Sequence, residues 1–321
     1  MPITEKIFLE IRRRVNSKYK QSNSRDFAVQ YSVAIQVLID SFGIQILDII
    51  PQLFPEATKD GIQFEEDFRS FKDDGFVHAS HSFTGPNVAS SLTRVIFFAN
   101  AVYVLETNHV RHFERAKVFC TKEGLKRRGF ERTYYEIVIA AKFVRVGREV
   151  EFVEEEKTRN VFRKRTKTPD LLVLDRSNWV SVECKSNVFK NLDSVSDSNL
   201  RTKRAIDKFI EGCNQVQEYG NATGRHGIIF VQYFNNKHID EDKEDMRSVL
   251  IKEMWKYANV EGGGFTYDIF DSRFTNGQTT FFGAVKDPKF FSPGMLRTLS
   301  FQNPIEMKEW DRHSFENWPY K

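Results

Sequence analysis

Two acidic residues and a lysine occur at a spacing that could bring their side chains together. Pro169-Asp170 is followed, after twelve intervening residues, by Glu183-Cys184-Lys185. Carboxylate oxygens suit a hard cation such as Mg²⁺, which takes one or two carboxylates and completes its shell with water and phosphate oxygens. A lysine beside that ion can orient or deprotonate a water, or neutralise charge that develops on phosphate. These are the components of a metal-assisted phosphodiester hydrolysis.

The residues between the two acidic positions predict an antiparallel hairpin. Two β-rich runs, 168–174 and 179–185, flank the turn Asp175-Arg176-Ser177-Asn178. If Asp175 faces Asn178, stepping outward by five residues on each strand places Asp170 opposite Glu183. Lys185 shares the face of Glu183 because side chains alternate along a strand. Opposed carboxylates destabilise a hairpin, and a divalent cation between them would remove that cost.

This arrangement resembles the signature of the PD-(D/E)xK nuclease superfamily, which has the restriction-endonuclease-like fold. The resemblance implies that Asp170 and Glu183 bind Mg²⁺ or Mn²⁺ and that Lys185 takes part in catalysis. It also implies the backbone carbonyl of Cys184 as a third metal ligand. The alternative interpretation is a solvent-facing hairpin with ordinary surface charges.

The segment before the hairpin predicts a helix and a strand, the order in which the superfamily core begins. Apolar residues recur at helical spacing between 131 and 148, and the helix is expected to end at Gly147. Residues 150–153 then predict a strand. Glu136 lies one position off the apolar stripe, and the resemblance implies that an acidic residue on this first helix can complete the metal site. A solvated glutamate on the helix flank is the alternative.

The segment after the hairpin predicts a crossover helix and a buried strand. The helix runs from about Arg201 to Tyr219, and the apolar run 227–233 is typical of a buried member of a sheet. Gln215 and Tyr219 resemble the Gln-x-x-x-Tyr feature of RecB-type members, in which both residues support the active site or DNA. A surface glutamine and a packed tyrosine at the helix end are the alternative.

Basic residues cluster near the acidic pair and predict contact with a nucleic-acid backbone. Six precede Asp170 with no acidic residue among them, and others lie in the first half of the crossover helix. The two groups are Lys157, Arg159, Arg163, Lys164, Arg165 and Lys167, and then Arg201, Lys203 and Arg204. A solvated loop is the alternative for the first group.

Composition limits the other classes of function. The 321 residues are 40% hydrophobic, so a substantial core is expected. The net charge is only +4, so nucleic-acid contact must come from local clusters. Three widely spaced cysteines form neither a disulfide framework nor a thiolate zinc site and favour a reducing cytoplasm. No signal pattern and no apolar run near the ~20 residues of a membrane span are evident, which predicts a cytoplasmic protein without a membrane partner.

The predicted fold class is mixed α/β, with a restriction-endonuclease-like α-β-β-β-α-β core. We expect a helical N-terminal domain of unassigned role at 1–125, the nuclease core at 126–235 and a C-terminal extension at 236–321. The extension is predicted to contain a helix and a β-hairpin that turns at Asn276-Gly277, packing on the core or extending it. Gly262-Gly263-Gly264 predicts a break between them.

Together these patterns predict a Mg²⁺- or Mn²⁺-dependent deoxyribonuclease, an endonuclease that could act in defence against foreign DNA. DNA is preferred because most of the superfamily acts on DNA. An RNA-cleaving enzyme of the same fold and a non-catalytic nucleic-acid-binding or assembly subunit are the alternatives. Since cleavage of both strands of a duplex usually takes two active sites, a homodimer or a complex with a partner protein is expected.

Overall fold

The chain alternates helices with the strands of one sheet. The computed structural model describes residues 5–18, 22–53, 64–78, 86–124, 129–153, 168–186, 198–233, 239–270 and 277–299. The α-helices are α1 Glu5–Lys18, α2 Ser22–Phe42, α3 Ile50–Leu53, α4 Phe64–Asp74, α5 Pro86–Thr107, α6 Phe113–Val118, α7 Phe130–Arg145, α8 Ser198–Thr223, α9 Ile239–Met254 and α10 Pro293–Leu299. The strands are β1 Val150–Phe152, β2 Leu171–Asp175, β3 Asn178–Lys185, β4 Gly227–Gln232, β5 Val260–Phe270 and β6 Gly277–Val285.

Within the described residues the strands form one open, mixed sheet in the order β1-β2-β3-β4-β5-β6. Strand β2 pairs antiparallel with both β1 and β3, β3 to β5 are parallel, and β6 returns antiparallel to β5. The crossover helices α8 and α9 make the two parallel connections, as parallel pairing requires. The predicted mixed α/β class is confirmed, and the elements from α7 to β4 follow the predicted order. The C-terminal hairpin extends the same sheet.

Helices cover both faces of the sheet around the predicted hairpin. Strand residues on one face, including Val182 and Phe230, pack in a core with α7 and with the N-terminal helices α2 and α5. On the other face, Ile229 and Val231 pack with residues of α8 and α9. The first core continues across position 125, where the sequence predicted a domain boundary; that division and the one at 235 stay predictions.

A triplet of glycines lies inside β5 rather than at a break. The predicted interruption at Gly262-Gly263-Gly264 is wrong, because β5 runs from Val260 to Phe270 through all three residues. A Cβ on Gly263 would lie 2.5 Å from Cε2 of Phe209 on α8 and 2.8 Å from the carbonyl oxygen of Ile229. The missing side chain therefore lets α8 pack closely on the sheet.

Long-range polar contacts connect α7 to β5 and hold the turn between β2 and β3. The Tyr135 hydroxyl on α7 hydrogen-bonds the Thr266 hydroxyl of β5 at 2.6 Å. At the hairpin turn, Asp175 is buried and accepts a hydrogen bond from the Ser292 backbone N–H at 2.8 Å. Arg148 Nη1 lies 3.1 Å from the same carboxylate. The turn of the candidate hairpin is thus held by residues far away in the sequence.

Two further observations bear on the expected environment of the chain. In the described ranges, no helix has both the length and the apolar character that crossing a membrane requires. Cys120, Cys184 and Cys213 are all buried and free.

Gly263→Ala should lower the free energy of unfolding by about 1–3 kcal/mol, because the new methyl group overpacks the contact between α8 and β5. Urea denaturation would measure the loss. Gly262→Ala is the matched control on the same strand, since its Cβ would meet its nearest atoms at 3.1 and 3.2 Å. Equal losses in the two variants would contradict close packing at Gly263 as the cause.

Candidate active site

The hairpin places Asp170 opposite Glu183, as its turn predicted. The observed register pairs Asp175 with Asn178 and Leu171 with Val182. Asp170 lies one position before β2, and its N–H donates to the carbonyl oxygen of Val182 at 3.1 Å. Its Oδ2 accepts a hydrogen bond of 2.9 Å from the backbone N–H of Cys184. The carboxylate of Asp170 is therefore fixed against the strand that carries Glu183.

Glu183 is a buried carboxylate with few partners. It is fully inaccessible to solvent, and Asp170 is only 2% exposed. Among the described residues, neither oxygen of Glu183 accepts a hydrogen bond, although Lys185 Nζ lies 2.9 Å from Oε1 as an ion pair. Burial, and then the charge of Asp170, raise the pKa of Glu183 to about 8. Its ionised form is thus unfavourable without a further cation.

Lys185 is held between the sheet and α8. Its ammonium group lies 3.1 Å from Oε1 of Glu211 and donates a hydrogen bond to Oε1 of Gln215. Burial opposes its charged form, but the carboxylates of Glu183 and Glu211 outweigh burial and raise the pKa of Lys185. Lys185 therefore carries a positive charge at neutral pH.

The two residues of the Gln-x-x-x-Tyr pattern have different surroundings. Gln215 contacts Lys185 directly, and its supporting role stays a prediction. Tyr219 is buried beside Val153 and Leu172, and its hydroxyl accepts a hydrogen bond of 2.8 Å from Arg225. The described contacts of Tyr219 are therefore with the sheet and with Arg225. A supporting role for it stays a prediction.

Glu136 is buried on α7 and linked to the hairpin through an arginine. Arg132 Nε donates to Glu136 Oε1 at 3.1 Å, and its Nη2 donates to Asp170 Oδ1 at 3.0 Å. Glu136 is 2% exposed, which excludes the solvated glutamate that was the alternative interpretation. Its position beside Arg132 brings it near the hairpin. A role for Glu136 as a metal ligand stays a prediction.

A cleft of about 300 Å³ opens beside these residues. Three cationic side chains, those of Arg132, Lys185 and Lys208, and two acidic ones, those of Glu131 and Glu211, line it. Burial would raise the pKa of Glu211, but Lys208 and Lys185 outweigh burial and lower it to about 2. With three cationic and two acidic side chains, the cleft adjoins Cys184 and Lys185 on β3, the strand that carries Glu183.

The donor set fits a hard divalent cation of the Mg²⁺ or Mn²⁺ type. Asp170, just before β2, and Glu183, on β3, provide carboxylate oxygens, and apart from the ion pair with Lys185 the oxygens of Glu183 have no hydrogen-bond partner among the described residues. Two carboxylates with water are a normal set for Mg²⁺. In the described part of the chain, no group of three or more His, Cys, Asp or Glu residues converges as metal ligands. A third ligand would have to be another donor, such as the predicted Cys184 carbonyl.

The structure locates only part of the predicted nucleic-acid-binding set. Lys203 and Arg204 are exposed on α8, as backbone contacts require. Arg201 belongs to α8, but its side chain is outside the described residues. The six basic residues from Lys157 to Lys167 also lie outside them, so their predicted contacts stay predictions.

Sequence reasoning missed Arg132 and Glu211. Each lies four positions before a residue that the sequence did single out, Glu136 on α7 and Gln215 on α8. Helical spacing of four was therefore the available signal.

The chain matches no model of a known protein family, no curated protein and no solved structure.

Glu183→Gln should stabilise the protein in EDTA, because it removes the cost of keeping this buried carboxyl group protonated or of burying its charge. The folded pKa of Glu183 is raised from 4.5 to about 8, so its ionisation removes stability as pH rises through that interval. At pH 7 to 8 we expect a gain of about 1–3 kcal/mol in the free energy of unfolding, which disappears near pH 4.5. Chemical denaturation at several pH values measures it.

Glu218→Gln, on the exposed face of α8, is the matched control and should leave stability within about 0.5 kcal/mol of wild type. A Glu183→Gln variant that is less stable than wild type at pH 8 would show that the ion pair with Lys185 outweighs the cost of burying Glu183.

Proposed function

We propose that this chain is a Mg²⁺- or Mn²⁺-dependent nuclease that hydrolyses phosphodiester bonds of DNA as an endonuclease. The observation that carries the proposal is the pair of buried carboxylates, Asp170 and Glu183, opposed across β2 and β3 with Lys185 beside them. A fold keeps such a costly arrangement when a cation relieves it. The adjoining cleft with Arg132 and Lys208 suits a polyanionic substrate.

The residues take distinct roles in this proposal. Asp170 and Glu183 hold the cation, with the Cys184 carbonyl as a third ligand. When bound, the cation supplies Lewis-acid polarisation of the scissile phosphate. Lys185 donates from its ammonium group to the phosphate oxygens or to the attacking water, and so stabilises the negative charge of the transition state.

Residues of α8 position this lysine. Glu211 and Gln215 contact its ammonium group from outside the sheet, so that Lys185 remains oriented when the cation engages Glu183. Preorganised charge of this kind requires little rearrangement during the reaction. Lys203, Arg204 and the basic residues before Asp170 would follow the nucleic-acid backbone.

The order of elements from α7 to β4 supports the resemblance to the PD-(D/E)xK superfamily. That resemblance is the reason for proposing DNA, a dimeric or multi-subunit assembly and a role in defence. Because one fold can act on several substrates, a cleavage experiment must distinguish DNA from RNA as the substrate.

Lys185→Gln should reduce the cleavage rate by roughly 10²–10³-fold, because it removes one preorganised charge while keeping a long polar side chain. Wild type and variant would be incubated with supercoiled plasmid, linear duplex, single-stranded DNA and RNA. Each substrate would be tested with Mg²⁺, Mn²⁺ or EDTA. Asp170→Asn should abolish the metal-dependent cleavage, and Glu218→Gln should cleave like wild type.

Cleavage that persists in Asp170→Asn and Lys185→Gln would exclude this site as the active centre. Cleavage of RNA alone would replace DNA as the substrate. Binding of DNA that EDTA does not change, with no cleavage in either metal, would favour a non-catalytic nucleic-acid-binding subunit.

A further inference from the structure

Arg132 occupies a position that its own helix disfavours. It lies in the first turn of α7, which begins at Phe130, and the positive end of the helix dipole repels a cation there. Arg132 also precedes Glu136 by four residues, and the reverse order of charges is the more favourable one on a helix. Interactions within the helix therefore do not explain why an arginine occupies this position. Its contact with a residue outside the helix does.

That contact is with the carboxylate that the proposed function assigns to the cation. Nη2 of Arg132 lies 3.0 Å from Oδ1 of Asp170, while Oδ2 is engaged by the backbone N–H of Cys184. A cation that binds Asp170 must compete with the guanidinium for this carboxylate. Asp170 and Glu136 are each 2% exposed, so their charges need a partner when no metal is bound.

The same side chain can also reach the substrate cleft. Arg132 is 39% exposed and lines the cleft of about 300 Å³ together with Lys185 and Lys208. A guanidinium that leaves Asp170 can turn toward this space without crossing the packed core. Its planar set of donors matches the oxygens of a phosphate.

We propose that Arg132 is an exchangeable counter-ion: it neutralises Asp170 in the metal-free protein and contacts a substrate phosphate once a divalent cation has replaced it. This inference rests on the proposed function. It assigns Arg132 a second state and couples metal binding to recognition of the nucleic-acid backbone. Metal and guanidinium thus compete at Asp170, whereas metal and nucleic acid cooperate.

The first test is metal affinity without nucleic acid. Arg132→Gln should bind Mn²⁺ more tightly than wild type, by roughly 5- to 100-fold, because the competing charge is gone. Isothermal titration calorimetry with MnCl₂ measures it. Arg69→Gln removes the same charge from the exposed surface of α4 and is the matched control. Arg132→Lys, which retains a charge but loses the two-pronged contact, should fall between wild type and Arg132→Gln.

Stability provides a second measurement that does not depend on catalysis. In EDTA, Arg132→Gln should melt at a lower temperature than wild type, because Asp170 and Glu136 lose their shared counter-charge. Saturating Mn²⁺ should raise its melting temperature more than it raises that of wild type. Circular dichroism at 20 °C first checks that the variant is folded; Arg132→Lys replaces it if it is not.

The third test is affinity for a short DNA duplex in the Lys185→Gln background, in which cleavage should be roughly 10²–10³-fold slower than in wild type. With Mn²⁺, adding Arg132→Gln should weaken binding and reduce the slope of log K against log salt by roughly 0.9, the loss of one phosphate contact. In EDTA the two proteins should bind alike, because Arg132 then remains on Asp170. Fluorescence anisotropy of a labelled duplex measures both.

The outcomes separate this inference from the proposed function. If the wild-type protein binds no Mn²⁺, both the proposed metal site and the proposed counter-ion role of Arg132 are wrong. Wild type that binds Mn²⁺, with equal or weaker binding by Arg132→Gln, would overturn the competition while leaving the metal site intact. Tighter Mn²⁺ binding with unchanged DNA binding would overturn the phosphate contact.

Discussion

The opposition of Asp170 and Glu183 across two antiparallel strands is the constraint around which the site is arranged. Both carboxylates are buried, and burial with mutual repulsion raises the pKa of Glu183 to about 8. The surrounding fold reduces this cost without eliminating it. Cys184 N–H and Arg132 engage Asp170, whereas Glu183 has an ion pair with Lys185 and no hydrogen-bond donor among the described residues.

The compensating groups come from helices on opposite faces of the sheet. Arg132 extends from α7, and Glu211 and Gln215 extend from α8 to Lys185. Each helix therefore contributes charge as well as apolar packing, and neither face alone completes the site. A Cβ at position 263 would meet Phe209 of α8, so the glycine there lets this helix pack closely on the sheet.

The hairpin and its register could be predicted because turn chemistry and the two-residue period of a strand are local properties. The contact of Arg132 with Asp170 was not predictable in this way, since the two residues lie 38 positions apart and only the packing of α7 on the sheet joins them. The glycine triplet was misinterpreted for a related reason. Considered alone, three consecutive glycines suggest a break in the chain. They form part of a strand here because an aromatic ring from a neighbouring helix occupies the space left by a missing side chain. The contacts of Tyr219 likewise depend on the packing of its helix against the sheet, which the spacing of residues along that helix does not predict.

The anchor of the hairpin turn has a consequence for the order of folding. Asp175 is held by the Ser292 backbone N–H, 117 positions later, and Tyr135 is held by Thr266, 131 positions later. Contacts so distant in sequence form late, because the intervening chain must first be ordered. During synthesis the hairpin can form early, but its anchor emerges from the ribosome only after β6. The hairpin therefore gains the anchor of its turn only after the chain has been synthesised as far as Ser292, long after both of its own strands are complete.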